Sequence, residues 1–561
     1  MNSIKRVFLL YIITCACNVA VCAQGGMSLF GVPFDFPLVL SGNFGELRSN
    51  HFHSGIDFKT QGVVGKPIHC VADGYICRAS VQPGGYGNAL YVMHENGYMT
   101  VYGHLDRFPK EIAERVRALQ YENETFSVDM RFTPYEYSVA RGDVLAYAGN
   151  TGYSFGPHLH FEVRDISGEE LYDPMRFYAT RLNDTIAPRA HSFAVYPRDG
   201  RGVLMGDRES AVYKVASGVV RDTIEAWGQI GFGVKANDYM NGTNNKYGVR
   251  KMELYADGKI LFSSTMDRFS FSETRLINAW IDYERYINRG EWFQRLHLLE
   301  LNSLRAIDAS LGNGWLDVDE ERFYNIECRL CDYHGNESRY RLVVRGKEQE
   351  MPAEPRSTHM LYCFKENIVD YMGMRLFVPN GELFTNARLD IKLQEGGPFS
   401  PRYKLGGEEY PVWHGADFSI RVNDIGTVDV SKLYIRRVSQ KGTTSYVGGR
   451  YEDGWVKAHI TVLGTYEVAV DTVAPRLKPL NEKLWSKNGR IVFSLIDKET
   501  LVMRFKGTID GRFVLFAYNS KDARLTLNLK KEKISRGVHR LKVVAIDAYG
   551  NETVYEKDIK Y

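Results

Sequence analysis

Ala89-Leu-Tyr-Val-Met-His94 and Tyr98-Met-Thr-Val-Tyr-Gly-His104 flank Glu95-Asn-Gly97, and this stretch decides the fold class. Both runs are short, rich in β-branched and aromatic residues, and separated by an Asn-Gly turn signal, so they predict two paired strands. Downstream, Gly156-Pro-His-Leu-His-Phe-Glu162 alternates in the same way. Side chains along a strand point to alternate faces, so His158 and His160 share one face, about 6.5–7 Å apart, and Glu162 continues it. Between these strands the pattern turns helical. From Pro109 to Tyr121, Ile112, Val116 and Leu119 fall on one face, as in an amphipathic helix inserted between strands.

Beyond residue 180 the sequence repeats its landmarks. Asp184-Thr-Ile-Ala-Pro188 is echoed by Asp471-Thr-Val-Ala-Pro475, and Asp332-Tyr-His-Gly-Asn-Glu-Ser338 by Asp547-Ala-Tyr-Gly-Asn-Glu-Thr553. Repeated landmarks around alternating strands and Asp-Gly or Gly-Asn turns predict two immunoglobulin-like β-sandwiches, at 185–347 and 471–561. A further sandwich is expected over 348–470 from strand-sized apolar runs such as Met374-Arg-Leu-Phe-Val378. The fold class is therefore all-β: a compact antiparallel sheet domain over 24–178, then two or three sandwiches.

Composition agrees with a multidomain globular chain: 561 residues, 44% hydrophobic and 25% charged. Residues 1–23 open with Lys5 and Arg6, continue through an apolar run and end in small residues at Val21 and Ala23, the pattern of a secretory signal peptide. Acylation of Cys17 or Cys22 is the weaker alternative, because neither follows a good lipobox leucine. No later stretch is apolar enough to span a bilayer, so the expected location is exported, in the periplasm or cell envelope. The net charge is +3, or +1 once Lys5 and Arg6 leave with the signal, so no nucleic-acid partner is expected.

Cys70 and Cys77 bracket a turn-like Ala-Asp-Gly; a disulfide across it and two buried free thiols are both open readings. Cys328 and Cys331 have no second pair at zinc-ribbon spacing and read as structural. Gly84, Gly85 and Gly87 lack the Lys or helix of a phosphate loop and read as turn residues.

His53-Ser-Gly-Ile-Asp57 supplies two further borderline ligands. A straight strand would hold His53 and Asp57 about 13 Å apart. Gly55 between them permits the bend that a shared ion needs. Two imidazoles and one carboxylate suit zinc with an open fourth position, the arrangement of a hydrolytic site.

Together, His53-x-x-x-Asp57, Tyr102-Gly-His104-Leu and Gly149-Asn-Thr-Gly152 leading to His158-Leu-His160 resemble the lysostaphin/LytM-type peptidoglycan endopeptidases, over about residues 40–165. The resemblance implies one zinc ion on His53, Asp57 and His160, with His104 and His158 as the catalytic pair and peptidoglycan stems or cross-bridges as substrate. The stretch between His104 and Arg141 is longer than the compact family pattern. A second reading is a non-catalytic envelope factor that binds peptidoglycan or activates another wall hydrolase; intact His104 and His158 argue against it. The C-terminal sandwiches leave room for an envelope-protein partner. Glu162 is expected to orient a ligand rather than act as base. His51, Arg48 and Asn88 are candidates for substrate contact or plain surface roles, and His69 and His94 are expected to be structural.

Overall fold

A computed structural model describes residues 29–423 and 425–561. The signal peptide expected over 1–23 lies outside the described residues. The described chain is all-β with a few short helices. Its N-terminal domain is built on an antiparallel sheet of β1 (Leu40–Gly42), β2 (Ile56–Lys59), β3 (Gly74–Val81), β4 (Asn88–His94), β5 (Tyr98–Gly103), β6 (Val128–Arg131), β7 (Ser138–Val139), β8 (His158–Asp165) and β9 (Glu170–Tyr172). The main order is β1-β2-β8-β5-β4-β3-β7, with β6 on β3 and β9 on β8. β4 and β5 are the hairpin anticipated around the Asn-Gly turn, and Gly97 takes the left-handed φ of 82° that such a turn favours.

β8 packs into the core through three apolar residues of one face. Leu159, Phe161 and Val163 are fully buried, and Phe161 meets the rings of Phe58, Tyr102 and Tyr178. The opposite face carries His158, His160, Glu162 and Arg164. Register fixes their neighbours: His160 stands opposite Asp57 on β2 and Gly103 on β5.

The helix expected after Pro109 forms as α1 (Lys110–Glu122), burying Ile112, Val116 and Gln120. All five cysteines in the described residues are free. Cys70 and Cys77 do not flank a hairpin: Pro67–His69 pairs with Val144–Tyr147 in a separate two-stranded sheet, so the chain crosses from one sheet to another at 70–74.

Residues 189–346 form one nine-stranded sheet, continuous because the strands Arg189–Leu204 and Val219–Asn237 are long enough to serve both of its ends. Residues 359–470 contain two five-stranded sheets around a core of their own, and residues 476–560 two four-stranded sheets around another. The repeated landmarks turn out to be a hydrogen-bonded clip. Asn336 Nδ2 donates to the carbonyl of Asp184 and the hydroxyl of Ser338 to that of Pro188; Asn551 and Thr553 make the same bonds to Asp471 and Pro475.

The 189–346 sheet and the N-terminal domain share one hydrophobic core. The strand Arg268–Ser270 adds to β9, extending the N-terminal sheet, and places Phe269 against Phe44 and Phe52 with ring centroids 4.9 and 5.3 Å away. Phe269 is fully buried, worth about 1.5–3 kcal/mol of transfer free energy.

Candidate metal centre and groove

Three ligand-type side chains converge where β2, β8 and the turn before β2 meet. His53 Nε2 lies 3.1 Å from Asp57 Oδ1 and 3.1 Å from His160 Nδ1, and those two atoms are 2.9 Å apart. A tetrahedral ion with bonds of about 2.0 Å sets its ligands about 3.3 Å apart, so the triangle fits such an ion with little adjustment. All three residues are buried. Gly55 makes the convergence possible by close approach: a Cβ there would stand 2.2 Å from the Phe161 carbonyl oxygen of β8.

The ring nitrogens that face away from the centre are tied down. His53 Nδ1 donates to the carbonyl of Asn43 at 2.7 Å, leaving Nε2 as the ligand atom. His160 is turned the other way round: Nε2 lies 2.8 Å from Glu162 Oε1, leaving Nδ1 inward. A ligating imidazole held by a carboxylate is the usual support of a metal site. Glu162 is completely buried and also receives Ser54 Oγ at 2.5 Å, Tyr86 OH at 2.7 Å and Arg164 Nε at 2.6 Å. Burial would raise its pKa, but Arg164 and His160 hold the carboxyl well below the usual carboxylate range. Burial likewise opposes charge on His160, yet Asp57 and Glu162 outweigh it and push the imidazole up to about 9, a positive charge that a bound cation would replace.

His104 and His158 stand beside the triangle, their ring centroids 4.7 Å apart. His104 Nδ1 donates to the Thr151 carbonyl at 2.8 Å and His158 Nδ1 to that of Gly156 at 2.8 Å, so each directs Nε2 away from its carbonyl. His158 Nε2 comes within 3.5 Å of Asp57 Oδ1. Burial, with the neighbouring His160 and His158, drives the His104 pKa down to about 3, so the ring is neutral. His104 also holds a left-handed φ of 59°, the kind of backbone outlier that clusters at functional sites.

The five residues singled out in the sequence thus sit in one groove of about 1120 Å³. His51 and Arg48 line it too: His51 is exposed, and Arg48 pairs with Glu46 and approaches Asp57 Oδ2 at 3.6 Å. Asn88 instead donates its side-chain amide to the Leu105 carbonyl. His69 binds Asp35 and His94 binds Thr100, both outside the groove. Sequence reasoning missed Tyr86, Ser54 and Arg164 around Glu162. Arg164 was within reach of the alternation rule, being the fourth polar residue of the face 158, 160, 162, 164. It also missed Phe271 and Thr274, which line the groove from the 189–346 region; Thr274 Oγ1 accepts from the Phe52 amide at 3.1 Å.

Residues 51–121 match the model of peptidase family M23, and residues 358–471 match a Zu5-like domain. Over 125 residues the chain is 34% identical to the DD-carboxypeptidase/endopeptidase Mpg of Neisseria meningitidis, covering 22% of this chain and 23% of that protein. It is 29% identical over 145 residues to the glycyl-glycine endopeptidase ALE-1 of Staphylococcus capitis, covering 25% and 31%. The chain thus spans about a quarter of the length of these relatives. Among solved structures, the catalytic domain of lysostaphin from Staphylococcus simulans aligns at 23% identity over 25% of this chain and 92% of that one, with a TM-score of 0.19. The M23 match takes in His53, Asp57 and His104, while His158 and His160 lie beyond it.

Proposed function

We propose that the chain is an exported zinc endopeptidase that cuts peptide cross-links of bacterial cell-wall peptidoglycan. The observation that carries this reading is the triangle of His53 Nε2, Asp57 Oδ1 and His160 Nδ1, with two further imidazoles beside it. A donor set of two imidazoles and a carboxylate suits zinc, and a bound ion would supply Lewis-acid activation of carbonyl and water.

The chain's own residues do the rest. His104 and His158, each fixed by a backbone carbonyl at Nδ1, offer Nε2 as the acceptor for the proton that an attacking water loses. The same ring can then return that proton to the departing amine, so hydrolysis leaves both imidazoles neutral. Arg164, Tyr86 and Ser54 hold Glu162, and Glu162 holds His160 in the ring orientation that turns Nδ1 inward. Exposed Tyr153 and Phe155 at the rim and Phe271 on the opposite module give the groove apolar walls for an extended peptide.

Peptidoglycan as substrate is supported by relatives named as a carboxypeptidase/endopeptidase and a glycyl-glycine endopeptidase. Export is supported by the sequence pattern of residues 1–23, and no helix among the described residues is long and apolar enough to cross a membrane. Docking to an envelope protein is a secondary part of the proposal, supported by exposed Phe364, Ile368 and Met372 on the 359–470 region. The test is incubation of the purified chain with isolated sacculi. New peptide amino termini, suppressed by a zinc chelator and restored by Zn²⁺, are expected; sacculi left intact while the protein still sediments with them would replace hydrolysis by a binding role.

A further inference from the structure

Asp184 and Asp332, landmarks of the first repeat, meet His334 at the seam between the N-terminal domain and the 189–346 sheet. One ligand atom from each lies within 4.8 Å of the others. Asp184, Asp332 and the neighbouring Asp238 are 8%, 2% and 6% exposed. Beside them is an enclosed cavity of about 20 Å³, lined by Asp184, Asp238, His334, Asp173, Arg250 and Asn43 among others. That is room for a single water or ion.

Three atoms here lack partners. The Oδ1 atom of Asp238 is buried with no hydrogen bond. His334 places Nε2 at 3.0 and 3.1 Å from the carbonyls of Ala179 and Leu182, so that nitrogen carries the proton. Its Nδ1 is then a lone pair, buried, unpartnered and 3.8 Å from Asp184 Oδ2. A carbonyl-anchored imidazole presenting its other nitrogen is how metal-binding histidines are held. Arg250 is the sole cationic side chain among the cavity's lining residues; its guanidinium stacks on Tyr333 and its Nε has no partner. One guanidinium thus shares the cavity with three carboxyl groups, in a setting where uncompensated charge is costly.

In the second repeat Asp471, Asp497 and Asp547 also converge, and hydrogen bonds meet their carboxylates. Asp471 receives Thr500 Oγ1 and the Val473 amide, Asp497 the amides of Glu499 and Thr500, and Asp547 both the amide and side chain of Asn551. Asp184 and Asp332 are met in the same way, by the Ile186 amide and by Asn336, so what sets the first repeat apart is the unpartnered Asp238 Oδ1 and His334 Nδ1.

We propose that Asp184, Asp332 and His334, with Asp238 lining the adjoining cavity, bind a second divalent cation, a structural ion that locks the 189–346 sheet to the N-terminal domain. Two carboxylates and one imidazole, with a third carboxylate beside them, suit Zn²⁺ or Mn²⁺ better than Ca²⁺, which takes six to eight oxygens. The ion has a short route to the groove. Asn43 lines the cavity, clasps Gly248 of the 189–346 region through both side-chain atoms at 2.8 Å, and gives its carbonyl to His53 Nδ1.

The test uses the full chain carrying His53→Ala and His160→Ala, which removes the groove ligands. After chelation, Zn²⁺, Mn²⁺ and Ca²⁺ are titrated separately, with elemental analysis after dialysis. We expect one Zn²⁺ or Mn²⁺ per chain, accompanied by a rise in Tm, and at least tenfold weaker binding when His334→Gln or Asp238→Asn is added. His334→Gln and Asp238→Asn keep nearly the native shape, and circular dichroism verifies the fold of each. Absence of a retained ion, or binding unchanged by both substitutions, overturns the proposal; tight Ca²⁺ binding with none for Zn²⁺ or Mn²⁺ overturns the choice of ion.

Discussion

The regions 189–346 and 476–560 carry the same Asp-Asn clip, yet they meet the N-terminal domain in opposite ways. The first enters its hydrophobic core, adds the strand Arg268–Ser270 to its sheet and lends Phe271 and Thr274 to the groove. The second touches it mainly through polar groups. Arg117 pairs with Glu532 at 2.8 Å, Ser520 Oγ donates to the Pro83 carbonyl, and Lys521 reaches the Ser154 carbonyl and lies over the Phe155 ring. Shared sequence landmarks therefore report a shared way of closing a β-module and say nothing about how that module docks. Apolar burial makes the first region part of the unit that carries the groove, whereas contacts that are mainly polar leave the last one separable.

Truncation tests this contrast most severely. A chain ending at residue 184 exposes Phe44 and Phe52 and is expected to give no cooperative unfolding transition by circular dichroism, whereas one ending at 470 should keep its transition and its hydrolytic activity. Equal behaviour of the two would remove the distinction. At single-residue scale, Phe269→Ala should cost about 3–5 kcal/mol in denaturant unfolding, the usual toll for emptying a buried aromatic site. Glu162→Gln sharpens the comparison from within the N-terminal domain: it weakens the hold on His160, so zinc affinity measured against a competing chelator should fall about 10–100-fold. Smallest is Lys506→Ala, which removes the exposed ion pair with Glu124 at the C-terminal contact and is expected to shift stability by less than about 1 kcal/mol and to leave peptide release unchanged; a larger loss would mean that this contact is integral to the fold.

Local pattern carried much of this into the sequence. Alternation gave the hairpin β4–β5 and placed His158, His160 and Glu162 on one face of β8, because period-two geometry depends on neighbours alone. Spacing brought His53 and Asp57 to the same place, although Gly55 matters for its close approach to Phe161 rather than for flexibility. What stayed illegible is set by distant pairing. Nothing near residues 268–274 announces that they join a sheet about a hundred residues upstream. Nor does Ala72-Asp-Gly74 reveal that it links two sheets, which leaves Cys70 and Cys77 as free thiols donating to the carbonyls of Ala72 and Tyr91. The unpartnered nitrogen of His334 likewise emerges only when Ala179 and Leu182 are folded against it.

The most direct test of the central claim, a three-ligand zinc centre flanked by two histidines that move protons, is to measure zinc content and peptide release side by side in wild type, His160→Ala and His104→Ala. The account predicts that His160→Ala loses both, while His104→Ala keeps its zinc and loses release by at least about 10²-fold. Zinc retained by His160→Ala, or release undiminished in His104→Ala, would contradict it.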